Sequence, residues 1–369
     1  MRRAQDEWWR DATFYQVYVR SFADSDGDGV GDLDGVRERL GYLDLLGVDA
    51  LWLTLDPDVD LTPFDRLAAD AHRDGLRIVV DLADERTLRF WLDREVDGVH
   101  VIDAGAHRLV RQVLDEHPGT VGIGELWPAD DPRPYDLHLG LNPRLLAAGY
   151  DAVELRTAID AALDAAAMAG VPPMWALSNH DAVREATRYG DGPLGTQRAR
   201  AMALVELGLP GVVYLYNGEE LGLPTVPLPE WALPHRADGR EGSRVPLPWQ
   251  GTEPPFGFSS GASAWLPVPP EWAKLTVERQ LEDADSTLSL YRQAVELRKT
   301  NPAFTGAELE WYGAPAGCFA YRRKGGGLIC VLNGSETAVS LPAGEIILAS
   351  GSLNDRHLPP NTAAWLVAS

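Results

Sequence analysis

The sequence contains few cysteines and few basic residues, and each shortage excludes a class of protein. Only 2 of its 369 residues are cysteine, which excludes the multi-disulfide framework of a small secreted domain. Lysine and arginine number 33 against 55 aspartates and glutamates, which gives a formal net charge of −22. Such a polyanion gains no favourable counterion release from nucleic acid and is repelled by an anionic membrane surface, so neither is an expected partner.

Long apolar runs are also missing from the sequence. No stretch is apolar for long enough to form a signal peptide or a membrane span, so we expect a cytoplasmic protein. The expected ligand is a small neutral or cationic molecule. With 45% hydrophobic and 24% charged residues, a chain of this length can form one large globular domain and a smaller second one.

Short apolar runs alternate with amphipathic segments over the first 300 residues, which is typical of repeated strand–helix units around a parallel sheet. Eight strands are predicted, at residues 13–19, 48–54, 76–82, 98–103, 120–126, 136–141, 174–181 and 211–216. This count predicts an α/β protein with a (β/α)8 barrel over residues 1–302. Short alternating strands predict a small antiparallel β domain over residues 303–369.

Polar residues stand at the carboxyl ends of the predicted strands three, four, five and seven, where a barrel of this kind carries its active site. They are Asp81, His100, Asp103, Glu125, Asn179, His180 and Asp181. Converging carboxylates suit glycoside cleavage, in which one group acts as an acid and a second attacks or stabilises the anomeric carbon. Any one of these residues alone is better explained as a helix cap or a buried ion pair, but the group predicts an active site.

Several segments, taken in order, resemble the α-amylase family of glycoside hydrolases, and in particular its α-glucosidase, oligo-1,6-glucosidase and trehalose synthase branch. The segments are WWRDATFYQVYVRSFADSDGDGVGDLDGV, LRIVVDL, GIGELW, WALSNHDAVREATRYG, LPGVVYLYNGEELGLP, SRVPLPW and GFSSGASAWLP. Together they extend over nearly the whole chain. The resemblance implies a small-molecule carbohydrate as ligand, specifically an α-linked glucoside or an analogue of one.

The resemblance also implies roles for individual residues. Glu125 is expected to be the general acid/base, and Asp181 to hold sugar hydroxyls in the distorted transition state. An acid of this kind needs a raised pKa, for which we expect an apolar pocket near Trp127. The remaining assignments are the hydroxyl-binding His180, its neighbour Asn179 and the structural aspartate of the third strand, Asp81.

The fourth strand departs from the family pattern. The family has an arginine and, two residues later, the nucleophilic aspartate where this sequence has His100 and Ile102. Residues two apart in a strand share a face, so Asp103 points away from the nucleophile's position unless a β-bulge re-aims it. The segment between the third and fourth strands is also too short for the inserted domain that walls the family's sugar pocket.

Three functions are therefore consistent with the sequence. The first is a retaining α-glucoside hydrolase or transglycosylase with Asp103 as nucleophile. The second is a repurposed enzyme that uses His100, Glu125 and Asp181 for proton transfer on a small sugar, polyol or secondary metabolite. The third is an inactive protein that binds a carbohydrate or a protein partner. Asp103 beside Glu125 at the barrel mouth would favour the first function, and Ile102 there would favour the other two.

The acidic loop DSDGDGVGD spaces its carboxylates at intervals that suit oxygen ligation of Ca²⁺, and its glycines let the chain fold back. The expected ligands are Asp24, Asp26, Asp28, the Val30 carbonyl and Asp32. Gly35 stands where an EF-hand has its bidentate glutamate, so this loop is not an EF-hand. The resemblance implies a structural calcium site here. Magnesium is the alternative cation, and a solvated acidic turn is the alternative without a metal.

The segment from residue 218 to residue 285 is rich in proline, glycine and tryptophan and has no clear periodicity. A long loop after the last barrel strand is more often a functional surface than a linker. Its Trp231, Trp249 and Trp265 are candidates for stacking on a sugar ring.

Overall fold

The computed structural model describes residues 5–56, 59–126, 135–232, 240–261 and 263–367. Within these ranges, eight parallel strands close into a barrel in chain order. They are β1 Thr13–Tyr18, β2 Ala50–Thr54, β3 Arg77–Leu82, β4 Gly98–Val101, β5 Val121–Glu125, β6 Leu139–Leu141, β7 Pro173–Ala176 and β8 Val212–Tyr216. The predicted (β/α)8 barrel is confirmed.

Helices connect the strands and follow the last one. They are α1 Leu33–Glu38, α2 Leu40–Leu46, α3 Phe64–Arg73, α4 Leu88–Leu92, α5 His107–Leu114, α6 Arg144–Ala147, α7 Ala152–Ala169, α8 Glu185–Arg188, α9 Gly192–Gly208, α10 Val277–Glu282 and α11 Thr287–Thr300. The longest, α7, begins after Asp151, whose carboxylate accepts hydrogen bonds from two backbone N–H groups of the first turn. It ends at Gly170, where a φ of 69° favours glycine.

The inward side chains of the strands form a core of their own. Its buried members are Trp9, Ala12, Phe14, Ala50, Trp52, Val79, Val121, Ile123, Leu139, Met174, Ala176, Val212 and Tyr214. Because strand side chains alternate, the next inward residue toward the carboxyl end lies two positions later. In β1, β3 and β5 that residue is polar, namely Gln16, Asp81 and Glu125. The apolar core therefore ends in a layer of polar groups at the barrel mouth.

The connection between β3 and β4 is short. It contains only the 3-10 turn Glu85–Thr87 and the five-residue helix α4. This connection has no room for a separate inserted domain.

A small β domain follows α11. Its main sheet is antiparallel, with the strand order β13-β15-β11-β10-β9, and β12 pairs with β14 beside it. The strands are β9 Leu309–Tyr312, β10 Cys318–Arg323, β11 Leu328–Asn333, β12 Val339–Ser340, β13 Glu345–Ala349, β14 His357–Leu358 and β15 Thr362–Val367. The predicted boundary between residues 302 and 303 falls within the 3-10 turn Pro302–Phe304, between the last helix and this sheet.

The sheet of the β domain packs on α9. Trp365 Nε1 donates a hydrogen bond to the Leu204 carbonyl at 2.8 Å, and the Tyr321 hydroxyl donates to the Val205 carbonyl at 2.6 Å. None of the helices in the described ranges has the length and apolarity needed to cross a membrane.

Candidate active site

β4 pairs without interruption with both of its neighbours. It pairs residue by residue with β3 from Gly98 to Val101, and with β5 from Gly98 to His100, with no bulge in either ladder. Asp81 stands opposite His100 in this register. The inward position near the end of β4 is therefore occupied by a histidine.

Asp103 follows the end of β4 and begins the next turn. Its carboxylate accepts a hydrogen bond from the backbone N–H of Gly105 at 2.8 Å and caps the 3-10 turn that leads into α5. The predicted strand reaches Asp103, whereas β4 ends at Val101, because this cap turns the chain out of the sheet. The preceding Ile102 has 64% of its surface exposed.

Asp81 and His100 form a hydrogen-bonded pair inside the barrel. His100 Nδ1 lies 2.9 Å from Asp81 Oδ1, and Trp52 Nε1 donates to the same oxygen at 2.8 Å. Burial opposes ionisation of Asp81, but the hydrogen bonds that its carboxylate receives outweigh burial and lower its pKa. In the tautomer with the ring proton on Nδ1, facing the Asp81 carboxylate, His100 Nε2 is an acceptor. Nε2 is buried and has no hydrogen-bond partner among the described residues.

The loop after β7 carries Asn179, His180 and Asp181. Asn179 Oδ1 accepts a hydrogen bond from the Asp181 N–H at 2.9 Å, which turns the chain out of the strand. Arg244 donates to Asp181 Oδ1, while Arg240 and His180 each place a nitrogen 3.5 Å from Oδ2. Burial alone would raise the pKa of Asp181, but these three neighbouring groups outweigh it and lower the pKa.

The His180 ring is held by two residues of β1. It stacks on Tyr18 with ring centroids 5.7 Å apart and planes 9° apart, and its Nδ1 lies 2.7 Å from Gln16 Nε2. Burial lowers the pKa of His180, so the neutral ring is favoured at pH 7. With Nδ1 accepting from Gln16, the ring proton is on Nε2, the nitrogen nearer Asp181.

Gln16 and Tyr18 belong to this site and were not among the predicted site residues. Their signal in the sequence is the two-residue spacing from the inward Phe14 in the first strand. Arg244 was also missed, although it lies in the segment SRVPLPW that carries part of the family resemblance.

Glu125 is the last residue of β5, and its side chain is exposed while the rest of the strand is buried. Alternation from the buried Ile123 directs it to the mouth of the barrel. Trp127, which was expected to wall its pocket, lies outside the described residues. The structure thus brings Asp81 together with His100, and His180 with Asp181, around the same mouth.

The acidic loop brings three of its carboxylates together. Asp24, Asp26 and Asp28 each have an oxygen within 4.8 Å of the others. The backbone N–H groups of Gly27 and Gly29 donate to the Asp24 carboxylate at 2.7 Å and 2.8 Å, which holds the loop closed. Three hard oxygen donors in this arrangement fit a calcium ion.

The other two predicted ligands have different contacts. Asp32 caps α1, because its Oδ1 accepts a hydrogen bond from the Gly35 N–H at 2.7 Å. The Val30 N–H donates to Asp28 Oδ1 at 2.7 Å, which leaves the Val30 carbonyl as its group for a cation.

The three candidate tryptophans differ in burial. Trp249 is a core residue, 2% exposed, whose Nε1 donates to the Phe22 carbonyl. Trp265 is half-buried, and the Arg20 guanidinium lies 4.6 Å from its ring centroid. Trp231 is 79% exposed. Only the last two have surface that a ligand can contact.

Comparison with known proteins identifies the family. A family model described as the alpha amylase catalytic domain matches residues 16–57 and 144–307, which is more than half of the chain. The chain belongs to the alpha-amylase family. The matched ranges of this family contain His180, Asp181 and the acidic loop, whereas the unmatched range 58–143 contains β3, β4 and β5 with their polar ends.

Relatives within the alpha-amylase family include glucosidases. The probable alpha-glucosidase of Rhizobium meliloti is 25% identical, with 90% of each chain covered. The glucan 1,6-alpha-glucosidase of Streptococcus pneumoniae is 23% identical, over 87% of this chain and 90% of the relative. The first alignment spans 508 positions whereas this chain has 369 residues, so at least 139 of those positions have no counterpart here.

Among solved structures, the alpha-glucosyl transfer enzyme XgtA superposes with a TM-score of 0.83. Its sequence is 26% identical, and the superposition covers 98% of this chain and 99% of the other. This family member therefore shares both the barrel and the small β domain with the present chain.

Proposed function

We propose that the mouth of this barrel binds small α-glucosides and does not cleave them by the retaining mechanism of glycosidases. The glucosidase relatives support an α-glucoside as the ligand. The observation that carries the proposal is the hydrogen bond from the Gly105 N–H to the Asp103 carboxylate, which commits that carboxylate to a helical cap.

Hydrolysis with retention of the anomeric configuration requires two carboxyl groups about 5–5.5 Å apart, one as acid and one as nucleophile. Glu125 at the end of β5 supplies an acid. The inward face of β4 carries His100, and the residue two positions later, Ile102, follows the end of the strand. An isoleucine side chain cannot attack the anomeric carbon. Glu125 could therefore protonate the leaving group, but no covalent glycosyl-enzyme would form.

The residues proposed to bind the sugar lie on β1 and in the loop after β7, away from the position of the missing nucleophile. The Asp181 carboxylate accepts hydrogen bonds from sugar hydroxyls, and Arg244 keeps it ionised. His180 is fixed in one orientation by Tyr18 and Gln16, so little side-chain freedom is lost when a ligand binds.

The Asp81–His100 pair favours a second candidate function, proton transfer on a small polar substrate. A carboxylate that holds Nδ1–H leaves Nε2 as a base, which is the arrangement of many general bases. Since Nε2 is enclosed, this function requires the surrounding side chains to move before a substrate reaches it.

The test measures binding and turnover separately on the purified protein in calcium-containing buffer. Calorimetric titration with maltose, isomaltose and trehalose is expected to detect binding of at least one sugar. Release of the aryl alcohol from an aryl α-glucoside is expected to stay at the level of Glu125→Gln, and a fluorinated glucosyl donor that traps glycosyl-enzymes should leave the protein mass unchanged.

Two results would contradict the proposal. Turnover that both Glu125→Gln and Asp103→Asn abolish would mean that Asp103 is a nucleophile and the protein a retaining enzyme. Binding of none of the three sugars would overturn the assignment of the ligand. Turnover of a polyol that His100→Gln abolishes and Asp103→Asn leaves intact would favour the second candidate.

We also propose that the acidic loop binds Ca²⁺ as a structural ion. Asp24, Asp26 and Asp28 would hold it with their carboxylates, and the Val30 carbonyl is a further candidate. The ion would neutralise a cluster of negative charge and fix the loop that leads into α1.

A further inference from the structure

Three buried glutamate side chains lie close enough together in the interior for their charges to act on one another. Glu185 begins α8, Glu206 lies near the end of α9, and Glu219 follows β8. Their exposures are 0%, 0% and 1%, and their charges act on one another. Nothing in the proposed sugar site uses them.

The hydrogen bonds available to the three carboxyl groups are unequal. Glu219 Oε1 accepts from the Tyr291 hydroxyl at 3.0 Å, and its Oε2 accepts from Ser178 Oγ at 3.2 Å. Neither oxygen of Glu185 or of Glu206 has a hydrogen-bond partner among the residues that the structure describes, although the Ser178 hydroxyl and the Glu185 N–H lie close enough to oppose the rise in the pKa of Glu185. An ionised carboxyl group can only accept, so four acceptors in this cluster lack a donor.

The charged groups around the cluster do not supply those donors. Arg184, Arg188 and Arg298 are near enough to affect the glutamates, and each donates guanidinium N–H groups to backbone carbonyls. Nε and Nη1 of Arg184 have no hydrogen-bond partner among the described residues. The other titratable groups that face the cluster are Tyr189, Tyr214 and Tyr291. A protonated carboxyl group is itself a donor, so protons are the simplest source of the missing hydrogen bonds.

We infer that Glu185, Glu206 and Glu219 form a buried proton-binding site, in which carboxylic acid protons shared among the three side chains hold α8, α9 and the loop after β8 together. Three ionised carboxylates without paired cations would be far more costly to bury than carboxylic acids. The bound ligand is the proton, and an ordered water can take part in sharing it.

The electrostatics of the cluster agree with this geometry. Burial raises the pKa of each of the three carboxyl groups, and the charges of Glu219 and Glu185 raise that of Glu206 further, against the opposing effect of nearby arginines. The folded pKa values therefore exceed the unfolded value of about 4.3. The stability that the cluster contributes is complete below the unfolded pKa and is lost as pH rises through the folded pKa values.

Glu220, the next residue in the chain, provides the contrast. It is also fully buried, but its Oε1 accepts from the hydroxyls of Tyr15 and Tyr42 at 2.8 Å and 2.6 Å, and its Oε2 accepts from the Gly218 N–H at 2.9 Å. Burial raises the pKa of Glu220 as well, but Glu220 has the donors that the cluster lacks, and these oppose the rise. It is therefore the matched position for a control substitution.

The first test compares Glu206→Gln with Glu220→Gln by urea denaturation between about pH 6 and about pH 9. Each proton retained only in the folded state makes the unfolding constant rise about tenfold per pH unit. The Glu206→Gln variant has a neutral amide of the same shape, which supplies N–H donors and does not titrate. We therefore expect the increase of its unfolding constant with pH to be smaller than in the wild type, by up to about tenfold per pH unit. Glu220→Gln should be destabilised at every pH, because an amide cannot accept from all three donors.

The second test needs no variant. The infrared spectrum of the intact protein in heavy water at neutral pH is expected to show the carbonyl stretch of protonated carboxylic acids, and Glu206→Gln should weaken it. A spectrum without that band, or equal pH slopes in wild type and Glu206→Gln, would overturn the inference. So would stabilisation by Na⁺ or K⁺ at constant ionic strength, since that result would assign the site to a cation.

Discussion

The ends of β4 and β7 each carry an aspartate at the mouth of one barrel, and the two aspartates have different partners. Asp181 after β7 contacts three groups that can carry positive charge, and it is held in its ionised form by them. Asp103 after β4 accepts a backbone hydrogen bond and begins a helical turn. Asp181 is thus held by side chains from other parts of the chain, whereas Asp103 is held by the backbone of its own turn.

The match to the alpha-amylase family divides the barrel in the same way. The matched ranges 16–57 and 144–307 carry the end of β1 and all of β2, β7 and β8, while the unmatched range 58–143 includes β3 to β6. In the unmatched part, the inward polar pair is Asp81 with His100, and the connection that could hold an inserted domain is short. The residues proposed to bind a sugar thus lie in the matched ranges, whereas the strand that lacks a nucleophile lies outside them.

The largest effect is expected on the unmatched side. Asp81→Asn removes a half-buried carboxylate that accepts from Trp52 and His100, which should cost about 2–3 kcal/mol of the free energy of unfolding. Because the pKa of Asp81 is lowered in the folded protein, its contribution is present above the unfolded pKa of about 3.9 and is lost as pH falls through the folded pKa. Urea denaturation at neutral and acidic pH should show the difference between wild type and variant shrinking in acid. A difference that is constant with pH would mean that Asp81 is not ionised in the folded state.

Calcium binding is expected to stabilise the matched side by a similar amount. At a free Ca²⁺ concentration of about 100 times Kd, binding to the folded state alone adds about 2.7 kcal/mol to the free energy of unfolding. The measurement is thermal unfolding with Ca²⁺ and with a chelator, repeated for Asp24→Asn. Equal unfolding temperatures in the two buffers would contradict the calcium proposal, and a shift that Asp24→Asn retains would locate the ion elsewhere.

A smaller effect, on ligand affinity, tests the comparison directly. Asp181→Asn should raise the Kd for the bound sugar by about tenfold or more, since a hydrogen bond to a charged group contributes about 1.5–3 kcal/mol. Asp103→Asn should change the Kd by less than about twofold, because asparagine caps a helical turn as well as aspartate does. Calorimetric titration of both variants measures this. Equal losses would mean that both aspartates contact the ligand.

The barrel could be predicted from the sequence because eight apolar runs alternate with amphipathic segments, and this local pattern corresponds directly to the strands and helices of the fold. Sequence reasoning could also place Asp81, His100 and Glu125 near one another, since parallel strands end at the same face of a barrel. The fate of Asp103 was harder, because an aspartate after an apolar run is compatible with a longer strand or with a cap. The hydrogen bond to Gly105 decides for the cap.

Contacts between remote segments could not be predicted from the sequence. Arg244 meets Asp181 from 63 residues away, and Gln16 meets His180 from 164 residues away. Glu206 lies on a helix where a glutamate would normally face water. It is buried because α9 is covered by the barrel on one side and by the β domain on the other, as the contacts of Tyr321 and Trp365 show.

The seating of the β domain on α9 has a consequence for how the protein unfolds. A side-chain carbon added at Gly208 would overlap the Tyr321 hydroxyl, so the helix and the sheet are in close contact. Unfolding of the sheet would expose the apolar surface of α9 to water, and unfolding of α9 would expose the face of the sheet that packs on it. The barrel and the β domain are therefore expected to melt in one cooperative transition, although the chain passes between them only once.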